Sequence, residues 1–170
     1  ETARRIAHTQ VETPEGFNFH SKLIPKLAKR VEMLNDASID WAMVEALAFG
    51  SLLLEGKPIR LAGQDSRRGT FSNRHAVIID RETGNEWTPL RGLISDENQF
   101  VVIDFLLSEY AALGFEYGYA FARPDALDMG EAQFGVLSYG AQPIIDEFIS
   151  SAFPNWGEDR RCTRMQYGHC

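Results

Sequence analysis

The sequence predicts an α/β domain: a mostly parallel sheet with helices on both faces and a β-hairpin inserted into it. Three observations carry that expectation. Short apolar or β-branched runs at residues 58–62, 100–104 and 126–129 alternate with helical patterns. The turn Thr83-Gly84-Asn85 separates an apolar run at residues 75–80 from Glu86-Trp87-Thr88, the spacing of a hairpin. The chain of 170 residues is long enough for one domain with a sizeable core and too short for two large ones.

In order, residues 1–20 read as an irregular lead-in punctuated by Pro14 and Gly16. Leu23, Leu27, Val31 and Leu34 then recur at helical spacing over residues 22–35, with an early break at Pro25. After the turn Asn35-Asp36-Ala37-Ser38, Asp40 is positioned to cap a second helix. Its apolar positions are Trp41, Val44, Leu47, Ala48 and Leu52, Gly56 stops it, and so apolar a helix is expected to lie buried on a sheet. Residues 58–62 form a short strand. The polar stretch from Gly63 to Phe71 leaves its end, where open α/β sheets bind ligands.

Beyond the hairpin come a loop at residues 95–98 and a strand at 100–104, read as buried from its β-branched residues. Ser108 is a candidate N-cap for a helix in which Gly114 and Gly118 stand four apart among Phe115, Tyr117, Tyr119 and Phe121. Glycine weakens a helix, so the pair implies close backbone packing, and the aromatics read as core. Arg123-Pro124-Asp125 ends this helix. A weak strand at 126–129 and a last helix at 142–150, with Pro143 near its start, complete a domain spanning residues 21–157. Residues 158–170 read as a disordered or aberrant tail.

Composition excludes several classes of function. A net charge of −7 argues against nucleic acid as a partner, since phosphate binding needs a basic face. No apolar run approaches the roughly 20 residues that span a bilayer. The chain opens Glu1-Thr2-Ala3-Arg4-Arg5, with neither a signal peptide nor an initiator Met, and is expected to be cut from something longer. Cys162 and Cys170 suggest neither a disulfide framework nor a zinc site, which fits a reducing cytoplasm.

Chemistry concentrates between Leu106 and Gln142. Glu109 stands at a helix start among Leu106, Leu107, Ala111 and Leu113. Desolvation favours its neutral form and the helix N-terminus its ionised form, opposed pressures common where a carboxyl hands over a proton. A surface glutamate in a first turn is the other reading. A second carboxylate, Glu131, stands beside Gln133 and Phe134.

Two sets of motifs carry a resemblance. Gly63-Gln64-Asp65-Ser66, Arg68-Gly69-Thr70-Phe71 and Arg74-His75-Ala76-Val77 form the first. The second is Ser108-Glu109-Tyr110-Ala111, Gly114-Phe115-Glu116-Tyr117-Gly118, Glu131-Ala132-Gln133-Phe134-Gly135 and Gly140-Ala141-Gln142. In this order they resemble the decarboxylating component of 2-oxoglutarate dehydrogenase, particularly its actinobacterial multifunctional form. The resemblance implies a transketolase-like pyrimidine-binding domain of a thiamine diphosphate enzyme. It implies that Glu109 pairs with the pyrimidine ring nitrogen and shifts the cofactor to its imino form, that Phe134 stacks on the ring, and that Gln133 lies nearby. It implies a catalytic role for His75, although a lone histidine is more often structural.

By the same resemblance the substrate is 2-oxoglutarate, the acceptor is a lipoyl-bearing succinyltransferase, and the site forms in a homodimer. Mg2+ and the diphosphate are held in that family by an upstream domain with a Gly-Asp-Gly motif. No such motif and no Gly-rich phosphate loop occurs here, so those ligands are expected outside this chain. The family has an apolar residue where Asp128 stands, and Trp, Asp and Asn where Gly130, Val136 and Tyr139 stand. The alternative to an enzyme piece is a non-catalytic remnant domain that acts in dimerisation or assembly.

Overall fold

The computed structural model describes residues 1–36, 38–105, 108–133, 140–151 and 163–167; within these, the side chains of residues 36, 132, 133 and 163–167 are outside the description. The chain divides into two compact units, Glu1–Lys57 with Arg67–Phe100 and Pro58–Ser66 with Val101–Cys170.

In the first unit the expected irregular lead-in is corrected, because Thr2–Thr9 is a helix, α1. With only Ile6 and Ala7 as strong apolar positions it gives no periodic signal, and so short a helix depends on tertiary packing. Both residues are fully buried. Ile6 packs on Gly50 so closely that a Cβ there would lie 2.7 Å from its Cγ1 and Cγ2. The rest of the lead-in is tied to the hairpin. Phe17 and Phe19 pack on Trp87 at ring-centroid distances of 5.9 and 6.3 Å, and the Asn18 N–H donates to Asp80 Oδ2 at 2.7 Å. Backbone N–H groups of Asn18, Glu82 and Thr83 together hold the Asp80 carboxyl down at about 2.

Helix α2 runs Leu23–Asp36 and carries Pro25 in its first turn, where a missing N–H is tolerated. Helix α3, Trp41–Leu54, starts as expected with the Asp40 carboxylate accepting from Met43 N–H at 2.8 Å. Its core face (Met43, Ala46, Phe49, Leu53) is buried. Within this unit α3 packs on α1 and on a 3-10 helix, Pro89–Leu93. Trp41 and Val44 point outward and are exposed. The hairpin forms from β2, Ile78–Ile79, and β3, Glu86–Trp87, in the antiparallel register Ile78↔Trp87 and Ile79↔Glu86. The first strand is shorter than expected. His75 has φ 49°, and the N–H groups of His75 and Ala76 donate to the carbonyls of Arg68 and Arg67, not to a ladder.

The second unit holds the sheet: β1 (Ile59–Gly63), β4 (Phe100–Asp104), β5 (Leu127–Gln133) and β6 (Thr163–Tyr167), in the order β4-β1-β5-β6. β1 and β5 are parallel from Ile59↔Leu127 to Gly63↔Glu131. β5 and β6 are parallel from Met129↔Thr163 to Gln133↔Tyr167. The expected disordered or aberrant tail at 158–170 is thus corrected at 163–167, whose β-branched and aromatic residues gain a ladder on β5 that a local reading does not see. β4 is also corrected. It lies at one end of the strand order, and Ile103 and Asp104 are exposed. Helix α4, Glu109–Ala122, packs on β5, its start capped by Ser108 Oγ accepting from Ala111 N–H at 3.3 Å. Gln142–Ile144, α5, continues as a π-helical turn through Ile149. Leu113, Ala141, Ile144 and Ile145 form the small core between α4 and α5. Among the described residues of this unit the close packing expected at the glycine pair is absent. A Cβ at Gly114 would make ordinary contact with Ile144 at 3.6 Å, and one at Gly118 would meet nothing within 4 Å.

Gly63 is different. A Cβ there would overlap the Glu131 carbonyl oxygen and lie 2.7 and 2.8 Å from Glu131 Cβ and C. Backbone cannot swing aside as a side-chain tip can. We predict that Gly63→Ala costs about 3 kcal/mol or more, the upper end for overpacking, measured by urea denaturation. A variant within about 0.5 kcal/mol of the parent would contradict this account of the β1–β5 contact.

Candidate functional site

Strand ends of the second unit converge at one edge of the sheet. Gln64 N–H donates to the Glu131 carbonyl at 3.3 Å, and Phe105 N–H to the Gly63 carbonyl at 3.1 Å. The ends of β1, β4 and β5 therefore lie together, the position at which open α/β sheets bind ligands. Glu109 is the first residue of α4, five positions beyond the end of β4. It is half-buried, between the buried acid and the surface glutamate that its sequence allows. Its carboxyl lies against Gly140, whose added Cβ would stand 2.9 Å from Glu109 Oε2.

Glu131 is more buried than Glu109, at 1% exposure. Ser66, fully buried, donates from Oγ to Glu131 Oε2 at 3.2 Å. That bond and the Gln64–Glu131 backbone bond join two motifs that are 65 residues apart in the chain. Ser66 is a residue that sequence reasoning missed. Its signal was its place in the Gly63-Gln64-Asp65-Ser66 motif, three positions past the end of β1. Gln133 is the last residue of β5; Phe134 lies outside the described residues.

The same unit contains a cluster that carries the Asp128 departure. Arg60 on β1 binds Glu116 on α4 in a bidentate pair, Nε to Oε2 at 2.7 Å and Nη2 to Oε1 at 3.0 Å. Its guanidinium lies over the rings of Phe115 and Tyr119, 4.9 and 5.2 Å from their centroids. Asp128, opposite Arg60 in the β1–β5 register, is 1% exposed and stands beside Glu116. Burial, and next a hydrogen bond shared with Glu116, push its carboxyl up to about 8. Asp128 therefore keeps its proton at neutral pH and donates it toward Glu116. An apolar family position is filled here by an acid in its neutral form.

His75 lies in the first unit and is described there alone. It is buried, and its Nε2 is 2.8 Å from the Ser72 carbonyl. A carbonyl only accepts, so Nε2 carries the proton and Nδ1 keeps its lone pair. Desolvation, with the nearby cations Arg30, Lys26 and Arg68 and against the Ser72 carbonyl, holds its pKa below the ordinary value, so the ring is neutral at pH 7. The preceding residue, Arg74, makes a buried bidentate pair with Glu45, at 2.5 and 2.9 Å. Arg30 donates to the carbonyls of Asn73 and Arg74 at 2.8 and 2.7 Å, and to Gln10 Oε1. A cavity of about 20 Å³, room for a single water, opens between Gln10, Arg30, Glu45, Arg74 and His75.

A family model described as the transketolase pyrimidine-binding domain matches residues 37–164. The chain is also similar to the multifunctional 2-oxoglutarate metabolism enzymes of Mycobacterium sp. (strains JLS and KMS) and Mycolicibacterium vanbaalenii. Identity is 51% over 160 residues in each case, covering 91% of this chain. The chain spans about 13% of the length of these curated relatives. No helix among the described residues is long and apolar enough to cross a membrane.

Asp128 generates a pH prediction. Its folded pKa, about 8, is raised above the ordinary 3.8, so the folded state holds a proton that the unfolded chain releases. Stability is then fully present below pH 4 and is lost as pH rises toward 8. Asp128→Asn, which never ionises, should remove this loss and be more stable than the parent at pH 8 by on the order of 2 kcal/mol. Urea midpoints of both proteins at pH 5 and pH 8 check it; identical pH slopes would show that Asp128 does not titrate in this range.

Proposed function

Because the chain belongs to the transketolase pyrimidine-binding domain family, we propose that it supplies the pyrimidine-binding half of a thiamine diphosphate site in a 2-oxoglutarate dehydrogenase. The observation that carries this reading is Glu109 as the first residue of α4 at the edge where the strands end. Thiamine diphosphate supplies, when bound, the carbon nucleophile for attack on a 2-oxo acid. The donor set fits the pyrimidine half of that cofactor: one half-buried carboxyl at a helix N-terminus, beside the edge where β5 ends.

Glu109 holds a proton toward the pyrimidine nitrogen. Gln133 and Phe134 contact the ring. His75, neutral and with the Nδ1 lone pair, serves as a second proton-handling group. Mg2+ and the diphosphate are held by residues outside this chain. The whole protein decarboxylates 2-oxoglutarate in the cytoplasm as part of the tricarboxylic acid cycle and passes the succinyl group to a lipoyl-bearing succinyltransferase. The active form is a homodimer. The exposed apolar side chains Trp41 and Val44 on α3, and Phe115 and Phe121 on α4 beside the open Gly118, support a second copy as their cover.

Glu109→Gln keeps the shape and loses the transferable proton. In the protein that carries this chain it should lower kcat about 10²–10⁴-fold, with the thermal midpoint unchanged and with the parent preferring 2-oxoglutarate to pyruvate. Steady-state kinetics with both acids test this. A Glu109→Gln variant with parental kcat, or a parent that prefers pyruvate, would sink the assignment.

A further inference from the structure

Gly140 stands against the carboxyl on which the functional reading turns. An added Cβ would lie 2.9 Å from Glu109 Oε2, 3.6 Å from its Cβ and 3.8 Å from its Cδ. The first distance is too short for a real contact, and the other two are ordinary. The group that must yield is therefore the tip of the Glu109 side chain. Gly140 does not have left-handed backbone, so alanine is sterically allowed there. The next residue, Ala141, is fully buried and belongs to the small core with Leu113, Ile144 and Ile145. The chain at Gly140 is thereby anchored to α4, the helix that begins with Glu109, and backbone retreat is the more costly response.

We propose that Gly140 is a positioning residue for Glu109: by lacking a side chain it leaves open the volume the carboxyl occupies and so fixes where that carboxyl is presented at the sheet edge. The inference rests on the reading of Glu109 as proton partner of the pyrimidine nitrogen. It differs from Gly63, where the obstruction is backbone and the consequence is stability. At Gly140 the consequence is placement.

The test is a double-mutant cycle in the protein that carries this chain, with Gly140→Ala, Glu109→Ala and both together. Two readouts are taken: Kd for thiamine diphosphate with Mg2+ by calorimetry, and kcat. Gly140→Ala alone should weaken cofactor binding and lower kcat tenfold to about a hundredfold, the size of effect expected from a misplaced reacting group. KM for the 2-oxo acid should stay the same. In the Glu109→Ala background the same substitution should change Kd little, because no carboxyl remains to be displaced. Equal loss in both backgrounds, or a fall in thermal midpoint that Glu109→Ala does not relieve, would overturn the proposal. If Glu109→Gln loses activity while Gly140→Ala keeps parental Kd and kcat, the positioning role fails and the functional reading stands. If Glu109→Gln itself is fully active, the functional reading fails, whatever Gly140→Ala does.

Discussion

The close approach of β1 and β5 at Gly63 and Glu131 is the contact on which the site depends. A parallel ladder running from Ile59↔Leu127 to Gly63↔Glu131 ends with no room for a side chain at Gly63. That closeness brings Gln64 N–H to the Glu131 carbonyl and Ser66 Oγ to its carboxylate. The Gly-Gln-Asp-Ser motif thus turns away from the sheet only after it has been fastened to the Glu-Ala-Gln motif. Glu131 is, on this account, a structural carboxylate. It is buried against the turn that Ser66 belongs to, whereas Glu109 is less buried and starts a helix.

Both units bury charge, and each does so with a partner in place. Arg60 is held by Glu116 and two aromatic faces, and Arg74 by Glu45. A buried ion pair adds little net stability, because desolvation offsets most of its attraction. Removing one member is costly, so such pairs enforce one arrangement over alternatives. Asp128 is the exception that follows from this logic. With Arg60 already committed to Glu116, the second acid beneath α4 is most stable in its neutral form.

Much of this was legible in sequence, and the failures have physical causes. Asp40 and Ser108 were readable as caps because capping is a local interaction between a side chain and a nearby N–H. The hairpin was readable from its turn. Helix α1 was not, since Ile6 is buried through its fit on Gly50, 44 residues away. Strand β6 was missed for the same reason: its ladder partner is β5. β4 was over-read, because β-branched residues suit an edge strand as well as a central one. At the site, the motifs identified Glu109 and Glu131 but not their ranking by burial. That ranking needed Ser66 and the strand-end geometry.

The central claim is that Glu109, not Glu131, is the proton partner at this edge. Proton–deuterium exchange at the thiazolium carbon of bound thiamine diphosphate measures that role directly, compared among the parent, Glu109→Gln and Glu131→Gln. The account predicts slowed exchange in Glu109→Gln at unchanged thermal midpoint, and near-parental exchange per folded molecule in Glu131→Gln. Parental exchange in Glu109→Gln together with slowed exchange in Glu131→Gln would contradict it.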